Sequence, residues 1–144
     1  MSGTLMVGVD GSAGGERALD FALAQAKAGG RSLLVAAVIP HSPHSFLTMN
    51  ELTHNEQLRR EHREKAEQAV LAPAVDKAKA AGVDARPLIA FGNPGEVLAD
   101  LARENGVDAL VVGRRGLSPV KALMFGSVAG NLVQLSTVPV IVVP

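Results

Sequence analysis

The residues best suited to chemistry in this chain are Gly113-Arg114-Arg115-Gly116 and, after nine intervening residues, Gly126-Ser127. An apolar run, Val107 to Val112, leads into this stretch, and a helical pattern starts at Val128 behind it. Glycine carries no Cβ, so its backbone N–H can come close to a bulky anion. Ser127 offers a hydroxyl or a helix cap, and the helix start adds unpaired N–H donors and the positive end of a dipole. Arg115 is the candidate for neutralising phosphate charge, against the alternative that Arg114 and Arg115 both face solvent. A loop of this kind suits a nucleotide triphosphate. The competing reading is that Gly113 and Gly116 only form a tight turn and Gly126 only starts a helix.

A second candidate follows the first apolar run, where the chain reads Asp10-Gly11-Ser12. A carboxylate near a triphosphate is unfavourable unless it meets ribose hydroxyls, a metal or a cation. Asp10 is therefore a candidate sugar contact, or an outer partner of Mg2+ carried by the phosphates. Equally, Asp-Gly-Ser is a common turn-and-cap composition.

Several chemistries are excluded by the same residues. The first loop, Gly8-Val9-Asp10-Gly11-Ser12-Ala13-Gly14, is not a dinucleotide fingerprint, and no Walker-type phosphate loop occurs. A receiver domain needs an aspartate at the end of the third strand, where this chain has Phe91-Gly92. Hydrolysis needs a positioned water and strong charge neutralisation. No persuasive general base lies beside the glycine loop, so no catalytic residue is assigned; a slow ATPase or an adenylating enzyme stands as an alternative. His41, His44, His54 and His62 form no compact cluster with acidic residues, and no protein metal site is expected.

Composition narrows the partners. The 14 basic residues balance 14 acidic ones, so no broad electrostatic footprint for nucleic acid or an anionic membrane is expected. The only aromatics are 4 Phe, too few for a base-stacking platform. Cysteine is absent, which removes disulfides and thiol catalysis. No basic start followed by a long apolar run is visible, and no stretch approaches the roughly 20 apolar residues of a membrane span. The expectation is a cytoplasmic protein. A chain of 144 residues fits one domain with a real core.

The elements that must position these residues read as an alternation. Strands are expected at Thr4–Val9, Ser32–Ile39, Asp84–Phe91, Val107–Val112 and Val140–Val143, each a near-continuous apolar run. Helices are expected at Gly14–Ala28, Thr53–Ala81, Pro94–Glu104 and Ser127–Leu135. Thr53 with Glu56 forms a capping box, Pro73 kinks or divides the second helix, and Asn93 caps the third. Pro40 to Asn50 is expected to be a long irregular loop. Strict alternation implies an α/β fold, an open doubly wound five-stranded parallel sheet with helices on both faces. Such sheets bind ligands beyond the carboxyl ends of their strands. If the first and fourth strands are neighbours, Asp10 and Gly113 face one crevice.

Asp10-Gly11-Ser12, Gly92-Asn93-Pro94, the run Val107 to Gly113, the Gly-x2-Gly-x9-Gly-Ser loop and the ending Val138 to Val143 together resemble the universal stress protein family, over essentially the whole chain. The glycine loop is similar to that of the family's ATP-binding branch. The resemblance implies strand order 3-2-1-4-5, an adenine nucleotide (ATP, or AMP or ADP, with Mg2+ on its phosphates), a stress-response role through an unknown protein partner, and a homodimer through Val140–Val143. By position, Gly113, Gly116, Gly126 and Ser127 are similar to the phosphate and ribose contacts, with Val128 following. Asp10, beside Gly11, matches the acidic residue near the ribose. Val38 is similar to the adenine-pocket residue, with Val9 and Val112 lining the same pocket. Ala129 departs from the pattern, since many ATP-binding members have Ser or Thr there. A dimeric interaction module that uses no nucleotide is the remaining alternative.

Overall fold

The structure is a computed structural model that describes residues 3–40, 49–116 and 127–144, with side chains from residue 56 onward in the second segment. Its strands are β1 (Thr4–Gly8), β2 (Ser32–Ile39), β3 (Ala85–Phe91), β4 (Ala109–Gly113) and β5 (Val140–Val143). Its helices are α1 (Ala13–Gly29), α2 (Met49–Ala66), α3 (Ala72–Ala80), α4 (Pro94–Glu104) and α5 (Ser127–Leu135), with a π turn over Glu67–Leu71 joining α2 to α3. The strands form one sheet in the order β3-β2-β1-β4-β5. Every pairing is parallel, with Leu5 opposite Leu33 on one side and Ala109 on the other. The expected α/β fold and strand order are both present.

Alternation along the strands builds a core on each face. Leu5 and Val7 of β1, Leu33 and Val35 of β2, and Val111 of β4 pack with α1 and α3. Met6, Leu34 and Leu110 point the other way and pack with Leu98 of α4 and Leu132 of α5. Burial on both faces is why these strands read as unbroken apolar runs rather than as alternating ones. Along α1, Ala18, Ala22 and Ala26 are completely buried, so that helix lies close against the sheet on its smallest residues. Pro87 sits in β3, an edge strand, where a missing N–H is tolerated.

The second helical stretch differs from expectation. α2 starts at Met49, so Thr53 lies inside the helix and its spacing to Glu56 marks no terminus. A Thr-x-x-Glu pair fits a helix interior as well as a cap, and so does not fix a start. Met49 and Asn50, expected in the loop from Pro40, belong to α2, and residues 41–48 lie outside the described residues. Pro73 does interrupt the helix. Lacking an N–H and crowding the carbonyl four residues back, it disfavours a regular turn before it. The chain widens there instead, and the Ala72 N–H donates to the Glu67 carbonyl five residues back. Asn93 caps α4 as expected, its Oδ1 accepting the Glu96 N–H at 3.1 Å.

Candidate functional site

The turn after β1 is held by its own side chains. Asp10 Oδ1 accepts the Ser12 N–H at 3.0 Å and the Ser12 hydroxyl. Ser12 Oγ in turn accepts the Gly15 N–H at 3.0 Å and caps α1. The carboxylate takes the hydroxyl proton, which leaves an oxygen lone pair for the helix N–H. Between them Gly11 has φ of 84°, a conformation a side chain would strain. One oxygen of Asp10 therefore serves the turn and cap.

The loop after β4 packs on this turn, main chain against main chain. A Cβ on Gly113 would lie 2.6 Å from the Gly14 carbonyl oxygen, and one on Gly116 would lie 2.5 Å from Asp10 Oδ2. A Cβ on Gly14 would collide with the Arg115 carbonyl oxygen. The bare backbone of Gly113 and Gly14 is thus required for the two loops to touch, a reason distinct from approach to an anion, while Gly116 meets only the end of the Asp10 side chain. Arg114 N–H extends the ladder beyond β4, donating to the Val143 carbonyl at 2.7 Å.

These loops enclose a cavity of about 340 Å³ beyond the carboxyl ends of β1, β2 and β4. That is the place an open parallel sheet offers a ligand, and the volume lies in the range of about 300–1,000 Å³ typical of ligand pockets. Of the residues singled out from sequence, Val9, Val38, Val112 and Val128 supply apolar wall. Asp10, Gly113, Arg115, Gly116 and Ser127 supply its polar part. Gly11 stands outside the wall, and Gly126 lies outside the described residues.

The wall changes character across the sheet. On the β2 side it is aliphatic, with Val38, Ile39, Pro40, Ala66 and Val70. On the β4 side it carries Arg114, Arg115 and the first turn of α5, Ser127 to Ala129. N–H groups of a first helical turn have no partner within their helix, and the helix dipole there favours negative charge. Asp10 lies between, in the turn that follows β1.

Sequence reasoning missed Ala66, Val70, Pro94 and Leu98, all of which line the cavity. Pro94 was within reach of the rule that ligands sit beyond strand ends, since it directly follows the loop after β3. Ala66 and Val70 gave no signal, because a fold across chain-distant elements brings them in. Among the described residues no group of three or more His, Cys, Asp or Glu comes together. His41 and His44 lie outside the described residues, as does the side chain of His54. No helix among the described residues is long and apolar enough to cross a membrane.

The sequence of the whole chain, residues 1–144, matches the model of the universal stress protein family. The universal stress protein YxiE of Bacillus subtilis is 33% identical over 151 aligned positions, covering 99% of each chain. A universal stress protein solved in complex with cAMP is 32% identical, with a TM-score of 0.71 over 99% of this chain and 96% of its own. UspA from Lactobacillus plantarum shares the fold at a TM-score of 0.87, with 20% identity over 99% of this chain and 97% of its own. The chain belongs to the universal stress protein family.

Proposed function

We propose that this protein binds an adenine nucleotide, ATP, in the cavity at the ends of β1, β2 and β4, and acts as a nucleotide-dependent regulator of a stress response. The observation that carries the reading is the division of the cavity wall. An aliphatic side suits a purine ring; a side with Arg114, Arg115 and the α5 N-terminus suits an anionic phosphate chain. The relative solved with cAMP supports an adenine nucleotide in this chain as well.

In this reading Val9, Val38 and Val112 surround the base. Asp10, in the turn after β1, faces the ribose hydroxyls. The main chain of Gly113 and Gly116, the Arg115 guanidinium and the first turn at Ser127 and Val128 hold phosphates, with Gly126 leading into that turn. Mg2+ would be carried by the phosphates, since such ions keep several waters and need only one or two carboxylates. Ala129 offers an N–H without a hydroxyl, which favours a ligand that asks less of that position.

The protein is also proposed to form a homodimer through β5. Val140 to Val143 are all half-buried and pair on one side only. The large apolar side chains most exposed among the described residues, Phe21, Val133 and Leu135, sit on α1 and α5, the helices that pack against β5. An apolar edge of this kind invites a second strand.

Native mass spectrometry of the purified protein, followed by calorimetric titration with ATP, AMP and cAMP, tests the nucleotide reading. Co-purified or titratable adenine nucleotide is expected. No heat with any of the three at about 1 mM, the weakest affinity worth considering, overturns it.

A further inference from the structure

The edge of the sheet opposite β5 is formed by β3, which pairs with β2 alone. Two hydrogen bonds fix which of its main-chain groups point outward. The Leu33 N–H donates to the Asp84 carbonyl at 2.9 Å, and the Gly92 N–H donates to the Ile39 carbonyl at 3.0 Å. Main-chain groups alternate between the two sides of a strand, so the even-numbered positions serve β2. Ala85, Pro87, Ile89 and Phe91 therefore turn theirs away from the sheet. Pro87 has an outward carbonyl and no N–H, which shortens the receptive edge and guards against indiscriminate strand addition. Ile89 keeps both groups.

Beside this edge runs a groove of about 640 Å³, bounded by β3, the end of α2, the π turn and α3. Its floor is aliphatic, with buried Leu71 and Val75 facing half-buried Ile89. Four charged residues line it in the order Arg63, Glu67, Asp76, Lys79, basic outside and acidic inside. Arg63 and Glu67 form an exposed pair at 3.4 Å, a contact that contributes little. Asp76 makes no ion pair among the described residues. The order reads alike from either end. A second copy laid antiparallel about the middle of the groove would set acid on acid and base on base, so the pattern rejects self-pairing. A chain of opposite pattern is favoured. Spacing gives that chain its form. Glu67 and Asp76 are nine residues apart on the helical stretch, about 13 Å at the helical rise. Side chains four residues apart on one face of a strand are also separated by about 13 Å.

We propose that the β3 edge and its groove bind an extended segment of a partner protein, one that carries a basic, an aliphatic and a second basic residue at alternate positions. The segment adds a strand outside β3. Ile89 donates its N–H to the added main chain and accepts from it at its carbonyl. The central aliphatic side chain rests on Leu71 and Val75, and the two basic groups meet Glu67 and Asp76. The site is separate from the cavity at the ends of β1, β2 and β4 and from the β5 edge, and it depends on neither.

The probe is a fluorescently labelled peptide containing Lys-Thr-Val-Thr-Lys, titrated into the full chain and read by anisotropy, with Glu-Thr-Val-Thr-Glu as its counterpart. Amide hydrogen exchange by NMR reports where it lands. The lysine peptide should bind with Kd below about 1 mM and the glutamate peptide more weakly. Bound peptide should slow exchange at the Ile89 amide, which faces outward, and leave the Leu88 amide, already bonded to β2, unchanged. Glu67→Lys combined with Asp76→Lys should weaken the lysine peptide by about tenfold, the scale of two exposed charge pairs. Both positions are exposed, and thermal melting checks the fold; the exchange result on wild type stands even if the double variant fails to fold. No binding of the lysine peptide at about 1 mM overturns the proposal. So does equal binding of the two peptides, or binding that leaves the Ile89 amide unprotected. Protection of that amide that grows with protein concentration, without peptide, identifies a second copy as the occupant and overturns it too.

Discussion

Asp10 divides its carboxylate between two neighbours. Oδ1 holds Ser12, which caps α1, while Oδ2 faces the bare backbone of Gly116. Ser12→Ala should lower stability by about 1 kcal/mol in urea denaturation, the usual cost of an N-cap. Gly113→Ala should cost about 1–3 kcal/mol in protein freed of ligand, because its Cβ meets the Gly14 carbonyl, main chain that cannot swing aside. A Gly113 variant that bound no nucleotide would therefore be ambiguous, and ligand-free denaturation is the measurement that separates the causes. The structure brings Asp10, Gly113, Gly116 and Ser127, singled out by residue type, to one cavity. Glycine, aspartate and serine stood out because few residues do their work. What the sequence concealed was the second reason for the glycines, since the partner atoms, Gly14 and Asp10, lie a hundred residues away.

Elements with terminal punctuation were legible. α4 has Asn93 and Pro94 at its start, and β2 and β5 are bounded apolar runs, so their limits are as the sequence suggests. α2 is polar along most of its length and lacks such a boundary, so its start was misplaced. Its junction with α3 needed geometry, because a proline says that a helix must yield but not whether it kinks or widens. α3 is tied to α1 by Lys77, which bonds Asp20 and Glu16. The hydrogen bond that Lys77 donates to Asp20 is the main cause that holds its ammonium above the ordinary value of 10.5. A raised lysine stabilises the folded state fully below its unfolded value and loses that contribution as pH climbs through the folded one. Lys77→Met should cost less than about 1 kcal/mol at pH 7, since the pair is half-exposed. The gap between variant and wild type should close above pH 10.5 in denaturation series.

At the scale of the molecule, the parallel architecture was readable because two-sided burial leaves a plain mark on every central strand. Strand order was not contained in that mark; it came from resemblance to a family. The outer edge of β5 gives the molecule a test of assembly. The carbonyls of Pro139 and Val143 accept from β4, so the alternating residues Val140 and Val142 direct their main-chain N–H groups outward. Val142→Pro should remove an outward donor while sparing the β4 ladder, and sedimentation should show dimer converting to monomer with the melting transition retained. Ile141→Pro, which strikes the inward side, should unfold the protein instead.

The alanine face of α1 has a consequence for how this chain can change over time. Where Ala18, Ala22 and Ala26 touch the sheet there is no slack, so nearly any exchange enlarges a side chain that has nowhere to go. The outer surface of α2 from Glu56 to Lys65 has no such constraint. A saturation library grown under selection should come back nearly blank along one helix and richly varied along the other.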